Sequence, residues 1–276
     1  MTSSANLVPV TAPADPRPPL DPDQLATLVT ALDRGLRVEI IEAAPSTNAV
    51  VADRAREGAP HGLVVVAEHQ TAGRGRLDRS WQTPARAALT FSLLLRPRVP
   101  AAEWPWLPLL AGHALAIALR EAEVPAGLKW PNDVLVGERK VAGILLERVD
   151  TRDGPAAVLG IGLNVSTTEA ELPVDTATSV LLATGSAPDR TELLTRILAR
   201  LVDEYDAWQA EGPGRTEALR ASYTEACVTI GREVRVDLPG GEVRTGTARA
   251  IDAGGRLVVD DFAVGAGDVV HVRRVR

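Results

Sequence analysis

From Arg37 onward the apolar positions fall into runs whose length and period separate strands from helices. Val38–Glu42 predicts a strand. Leu63–Glu68 and Leu89–Leu95 are nearly unbroken apolar runs of strand length, the pattern of strands covered on both faces. Ala156–Val165 adds another strand, ending in Gly-Ile-Gly-Leu-Asn-Val. Trp104–Ala122 and Thr191–Gln209 place apolar residues at helical spacing and predict two long packed helices. Shorter helices are expected over Asp23–Leu32, from Ser46 or Thr47 onward, and over Thr216–Thr224, the last set off by Gly212-Pro-Gly214.

Val136-Gly-Glu-Arg139 reads as a two-residue hairpin turn with glycine first. Its register pairs Leu135 with Lys140 and Asp133 with Ala142, which sends Asp133 and Lys140 to one side as diagonal neighbours. After Cys227 the texture changes to short β-rich runs, Val234–Asp237, Val243–Ile251, Arg256–Asp260 and Val269–Val275, with turns at Pro239-Gly-Gly241 and Ala253-Gly-Gly255. Such spacing predicts a small SH3-like barrel. Residues 1–22, rich in Pro, Ala, Ser and Thr, predict a disordered tail; residues 23–225 form the main domain and 226–276 the barrel.

Composition narrows the function classes. A net charge of −6 argues against a general nucleic-acid binder, which carries a basic face. No apolar run is long enough to cross a membrane, and the start lacks a basic segment followed by an apolar one, so the cytoplasm is the expected compartment. Cys227, the single cysteine, reads as a packing residue, and the four histidines show no metal-ligand spacing.

Lysine placement points to chemistry. Of 30 basic residues only Lys129 and Lys140 are lysines, and both lie in the segment Lys129-Trp-Pro-Asn-Asp133 to Lys140-Val-Ala-Gly-Ile-Leu-Leu-Glu147. A compact ammonium with three rotatable donors suits a crowded pocket of carboxylate and phosphate oxygens, where a guanidinium does not substitute freely. Gln70-Thr-Ala-Gly-Arg-Gly-Arg-Leu-Asp-Arg-Ser-Trp81 adds glycines that admit close backbone approach and three arginines suited to anions. It matches neither phosphate-binding fingerprint, since Asp78 stands where a third glycine is needed. Read singly, that loop is a solvated turn, Ser46-Thr-Asn48 an N-cap, Trp81 and Trp130 core aromatics, and Asn164 a strand-end residue.

Together, Ser46-Thr-Asn48, the loop Gln70 to Arg76 with Trp81, Lys129-Trp-Pro-Asn-Asp133, Lys140 to Glu147, and Gly160-Ile-Gly-Leu-Asn-Val165 resemble the biotin protein ligase family in order and spacing, over residues 33–276. The resemblance implies an α+β, mixed-sheet catalytic domain of the kind shared with lipoate ligases and class II aminoacyl-tRNA synthetases, followed by the small β domain. It implies two half-reactions on biotin and ATP with Mg²⁺: formation of biotinyl-5′-AMP, then transfer to a lysine of a biotin carboxyl carrier domain. The same resemblance gives Ser46, Thr47, Asn48 and Gln70 the ureido ring, with Gly73 in the pocket. Arg74 and Lys140 would bridge the carboxylate and α-phosphate, and Gly75 and Arg76 line that loop, with Arg79 on the ATP side. Trp81 and Asn164 would contact adenine, Lys129 and Asn132 lie near the nucleotide, and Asp133 orients Mg²⁺ or the incoming lysine. Many relatives carry glycine at the position of Asp78, so the loop path between Arg76 and Trp81 is a point of departure.

Three alternatives differ in class. A fused DNA-binding repressor needs a winged helix with a basic recognition helix, and residues 1–32 do not carry one. A lipoate ligase shares the chemistry, but the Gly-Arg-Gly-Arg loop and Lys-Trp-Pro-Asn-Asp favour biotin. A non-catalytic carrier-binding module leaves the polar constellation unexplained. The expected protein binds neither nucleic acid nor membrane and is a monomer or weak homodimer.

An enzyme that makes an acyl-adenylate is exposed to its own product, and only unprotonated amines attack it. With no lysine outside the Lys129–Lys140 segment, the chain is expected to resist self-acylation. Lysines placed at Arg54, Arg56 and Arg98 should become biotinylated on incubation with biotin and MgATP without carrier, as mapped by mass spectrometry. Equal labelling of the native protein would remove lysine scarcity as the cause.

Overall fold

The apolar run at residues 63–70 becomes a strand buried on both faces because its side chains alternate between two separate cores. Leu63 and Val65 pack with Val51, Ala52 and Ala55 on one side, while Val64 and Val66 join the main core on the other. In the computed structural model, which describes residues 17–77, 79–211 and 213–272, the elements begin with α1 (Pro22–Ala31), β1 (Arg37–Ala44), α2 (Thr47–Arg56) and β2 (Leu63–Gln70). A two-residue pair, β3 (Gly73–Arg74) and β4 (Ser80–Trp81), precedes β5 (Ala88–Leu95), the long helix α3 (Trp106–Glu121), β6 (Ala126–Lys129), β7 (Asp133–Val136), β8 (Arg139–Thr151) and β9 (Gly154–Asn164). The helices α4 (Val180–Thr184), α5 (Arg190–Glu211) and α6 (Pro213–Ala226) complete the main domain.

These strands form one seven-stranded sheet, ordered β1-β2-β5-β9-β8-β7-β6, parallel between β1 and β2 and antiparallel elsewhere. Helix α2 covers one face and α3 with α5 the other. Burial of α3 on nearly every side explains why Leu and Ala surround its axis. The second domain is an antiparallel sheet of β10 (Glu233–Asp237), β11 (Val243–Ile251), β12 (Leu257–Val259), β13 (Phe262–Val264) and β14 (Asp268–His271), ordered β13-β12-β11-β10-β14. Its inward residues Val234, Ala248, Ile251 and Leu257 belong to the main core, and the indoles of Trp106 and Trp130 donate to Ala253 O (3.1 Å) and Gly255 O (2.9 Å) in its β11–β12 turn. No helix among the described residues is long and apolar enough to cross a membrane.

Several expectations differ from the structure. Residues 1–16 lie outside the described residues, but 17–21, read as tail, are packed: Leu20 is buried, its N–H donates to Glu68 (2.6 Å), and Arg17 pairs with Glu171. The partners that order this segment come from β2, α5 and the 169–171 turn, so local composition could not reveal them. The strand expected over Arg256–Asp260 forms as the shorter β12, Leu257–Val259, and the chain then turns at Asp260 (φ 50°) into β13, a strand not expected from the sequence. The β7–β8 turn forms as expected, with Gly137 at φ 60° and Leu135 opposite Lys140, but Asp133 pairs with Gly143 rather than Ala142. Val141 is an extra residue between the Lys140 and Ala142 pairings, a β-bulge.

Glu68 and Arg190 are both buried and joined at 2.7 Å, while Arg190 also donates to Pro18 O (2.7 Å) and Ala88 O (3.3 Å). Glu68→Gln leaves a buried guanidinium without its counter-charge and should lower unfolding free energy by about 3–5 kcal/mol. Urea titration would read this; a loss of under ~1 kcal/mol would place the pair with weak surface pairs.

Candidate functional site

The α2 N-terminus meets the end of β2 at Gln70 and the middle of β5 and β8 at Ser92 and Glu147, through polar groups sunk into apolar surroundings. Ser46, Thr47, Asn48 and Ser92 are all buried, a burial that demands complete hydrogen bonding. Ser46 occupies the N-cap position in extended conformation, yet its side chain makes no capping bond. The expected cap is supplied instead by Gln70, whose Oε1 accepts from both the Thr47 N–H (2.8 Å) and the Thr47 hydroxyl (3.1 Å). Asn48 Nδ2 donates to Glu147 Oε2 at 2.6 Å, and Ser92 Oγ lies 2.6 Å from Asn48 Oδ1 and 2.7 Å from Thr47 Oγ1. Gly160 leaves room for this amide, since a Cβ there would fall 2.1 Å from Asn48 Oδ1.

The glycine-arginine loop closes over this end as the β3–β4 hairpin, pairing Gly73 with Trp81 and Arg74 with Ser80. Only glycine fits at 73, where a Cβ would lie 2.3 Å from Trp81 O. Gly75 N donates to Arg79 O at 2.7 Å, and Leu77 turns with φ 53°; Asp78 lies outside the described residues. Three arginines tie the loop across the cavity: Arg74 to Glu147 (2.9 Å), Arg76 to Asn132 Oδ1 (3.0 Å), and Arg79 to Asp268 of the second domain. Burial lowers the Arg76 pKa, partly opposed by Asp133 and Asp268, whereas the hydrogen bond to Asp268 raises that of Arg79. Trp81 lies over a cross-strand glycine pair, Gly143 and Gly162; a Cβ on Gly162 would be 2.5 Å from its ring. Its buried Nε1 has no partner.

From the β7–β8 hairpin, Lys140 Nζ meets Asp133 Oδ1 at 2.6 Å and stands 5.6 Å from the Trp81 ring centroid. Lys129 Nζ reaches the other Asp133 oxygen only at 4.0 Å. Asn132 donates to Ile144 O (2.8 Å) while accepting from Arg76. The resulting cavity is lined by Arg74, Arg76, Arg79 and Lys140 against Asp133 and Asp268, so its mouth is cationic in an acidic chain.

Of the residues expected at the site, Ser46, Thr47, Asn48, Gln70, Arg74, Gly75, Arg76, Arg79, Trp81, Asn132, Asp133 and Lys140 line this one cavity. Gly73, Lys129 and Asn164 do not; Asn164 is buried with its amide on Thr178 O at 2.9 Å. Sequence reasoning missed Ser92, Gly267 and Asp268, and it gave Glu147 no role. Ser92 had a signal, since with Thr90 it is one of two hydroxyl residues in an otherwise apolar strand; nothing local marks Asp268.

A pocket with a neutral hydrogen-bonding end and a cationic mouth can hold a small polar ring while placing its anionic tail beside a second anion. Residues 40–164 match the Biotin/lipoate A/B protein ligase family and 229–272 the Biotin protein ligase C terminal domain. The chain is 43% identical over 268 residues to the biotin–[acetyl-CoA-carboxylase] ligase of Mycobacterium tuberculosis, covering 93% of this chain and 97% of that protein. This chain belongs to the biotin protein ligase family. It is also similar, at 33% identity over 82% of the chain and 72% of the relative, to the bifunctional ligase/repressor BirA of Bacillus subtilis. The biotin protein ligase of Aquifex aeolicus, solved with biotin and ATP, superposes with TM-score 0.72 at 29% identity, over 86% of this chain and 99% of that one.

In this ligase-family chain the Arg79–Asp268 pair is the loop's tie to the second domain. Asp268→Ala should let the loop open and speed trypsin cleavage after Arg74, Arg76 and Arg79 several-fold, while the global unfolding midpoint moves little. Cleavage at the wild-type rate would show that the pair does not restrain the loop.

Proposed function

We propose that this chain activates biotin with ATP to biotinyl-5′-AMP and transfers the biotinyl group to a lysine of a biotin carboxyl carrier protein. The observation that carries the reading is a single cavity running from the neutral Thr47–Gln70 end to the cationic Arg74–Arg76–Lys140 mouth. Ser46, Thr47 and Gln70 hold the ureido ring, and Asn48, whose amide is already engaged by Glu147 and Ser92, braces them. A dithiolane ring has no N–H or C=O to offer this end, which favours biotin over lipoate.

In the first step a biotin carboxylate oxygen attacks the α-phosphorus, the bond to the bridging oxygen breaks, and pyrophosphate leaves. In the second, the carrier amine attacks the acyl carbonyl and AMP leaves. Neither step needs a nucleophile from the enzyme; the work is positioning and charge stabilisation. Arg74 and Lys140 bring the carboxylate and α-phosphate together, with the 73–76 backbone allowing close approach. Trp81, on its glycine floor, faces adenine, Asn132, Arg76 and Arg79 flank the nucleotide, and Lys129 and Asn164 support that side from behind the wall.

Mg²⁺ usually keeps several waters and is held by one or two carboxylates plus substrate phosphates. The described residues contain no group of three possible metal ligands, but Asp133, whose second oxygen is 4.0 Å from Lys129, can supply the one carboxylate such a site requires. When bound, the ion would neutralise triphosphate charge. The same carboxylate could instead orient the acceptor lysine.

ATP–pyrophosphate exchange with biotin, with lipoate and with neither tests the reading, followed by transfer to a carrier domain; exchange that does not depend on biotin overturns it. Lys140→Ala should reduce biotin-dependent exchange by about 10²–10³ without lowering thermal stability. Lys140→Arg should also be impaired, and near-normal exchange in Lys140→Ala would remove the residue from the mechanism.

A further inference from the structure

A second cavity, of about 630 Å³, opens at the far end of β2 from the one already described. The strand begins beside His61 and ends at Gln70, so its eight residues hold the two cavities roughly 25 Å apart. The polar wall is built by His61, by Arg96 and Arg98 after β5, and by Tyr205, Asp206 and Gln209 on α5. None of these residues lines the ligase cavity.

Two backbone N–H groups fix how this wall is polarised. Arg96 N–H donates to His61 Nδ1 at 3.2 Å, so the imidazole is neutral and carries its proton on Nε2. An imidazolium would set N–H against N–H. Desolvation lowers the His61 pKa in the same sense, opposed by Asp206 and reinforced by Arg98 and Arg96. Stacking on the buried Tyr205 ring, with centroids 5.4 Å apart, holds the imidazole in place. Arg98 N–H donates to Gln209 Oε1 at 2.8 Å, which turns the Gln209 amino group the other way. That Nε2 is buried and has no partner among the described residues. A buried donor without an acceptor is costly, so an acceptor brought in by a ligand would be stabilising.

The charges point in the same direction. Arg96 is fixed by Ala59 O (3.0 Å) and Thr151 Oγ1 (3.2 Å), and neither it nor Arg98 forms an ion pair among the described residues. Against these two guanidiniums the wall carries one carboxylate, Asp206. Imidazole N–H, amide N–H and guanidinium are all donors, and they suit a negatively charged acceptor. The Tyr205 ring adds apolar surface, and the volume is that of a site for a small organic molecule rather than a bare ion.

We infer that this cavity is a second binding site, for a small organic oxyanion: a carboxylate or phosphate group on an apolar body, with the oxyanion between Arg98 and the Gln209 amino group. The inference does not depend on the biotin reading.

NMR titration of the ¹⁵N-labelled full-length protein tests it, with phenyl phosphate, benzoate and neutral benzamide as probes. Phenyl phosphate or benzoate should shift the Gln209 side-chain amide and the Arg96 and Arg98 backbone amides along a saturating curve, and the tighter of the two identifies the headgroup. Benzamide, with the ring but no charge, should not. The Arg74–Lys140 mouth also attracts anions, so Lys140→Ala is the control: it should weaken shifts at the mouth and leave those at Gln209 unchanged. Arg98→Glu should do the reverse, weakening binding at Gln209 by about tenfold or more. Gln209→Glu keeps an acceptor for the Arg98 N–H but replaces the amino donor by a carboxylate, and should weaken binding likewise, read at the Arg98 amide. Arg98 is exposed, so its variant decides the matter even if Gln209→Glu lowers the thermal unfolding midpoint. Absence of saturable shifts at these three residues up to about 10 mM of either anion, equal shifts with benzamide, or undiminished binding in Arg98→Glu overturns the proposal.

Discussion

Strand β8 is hydrogen-bonded to β7 on one edge and β9 on the other, and its register decides which side chains face the cavity. In a regular strand Lys140 and Gly143 would point to opposite faces, since side chains alternate with a period of two. The Val141 bulge cancels that alternation and brings Lys140 onto the face of Gly143, so close that a Cβ on Gly143 would lie 2.9 Å from its Nζ. Lys140 N donates to Thr176 O (2.7 Å) and its carbonyl accepts from Thr178 N (2.8 Å), so the backbone at this irregular point is satisfied from residues 176–178. Further along, the same strand presents Glu147 to Asn48 and Arg74. A one-residue slip would dismantle the Lys140–Asp133 pair and the polar chain behind Thr47 together.

The second sheet acts as a brace for this arrangement rather than an appendage. Its residues continue the main core, its β11–β12 turn accepts from the indoles of Trp106 and Trp130, and Arg232 grips Glu138 at the tip of the β7–β8 hairpin at 2.7 Å. Asp268 meets Arg79 across the cavity mouth. The hairpin that carries Lys140 and the loop that carries Arg74 and Arg76 are therefore both held from the same side. Electrostatically the mouth concentrates cations in a chain of net charge −6, a local field that suits two anions without making the whole surface attractive to polyanions.

Much of this was legible in the chain itself, because periodicity, turn chemistry and helix length are local properties. The buried strands β2, β5 and β9, the helices α3 and α5, the Gly137 turn and the barrel-like texture after Cys227 all follow from patterns a few residues wide. The site residues were legible for a different reason: five short motifs in family order named nearly all of the cavity lining. What the chain alone did not determine was how those motifs meet. The capping bond read for Ser46 or Thr47 is made by Gln70 while Ser46 keeps the N-cap position, the Asp133 pairing moved by one residue at the bulge, the 17–21 segment packed onto Glu68 and Arg190, and Asp268 entered the mouth from the second domain. Each of these is a choice among partners tens to hundreds of residues apart, made by the requirement that buried polar groups find hydrogen bonds and buried charges find counter-charges. Sequence by itself specified the elements and the chemistry they carry; only tertiary structure decided which donors face which acceptors, because that depends on distances between chain segments that no local pattern encodes.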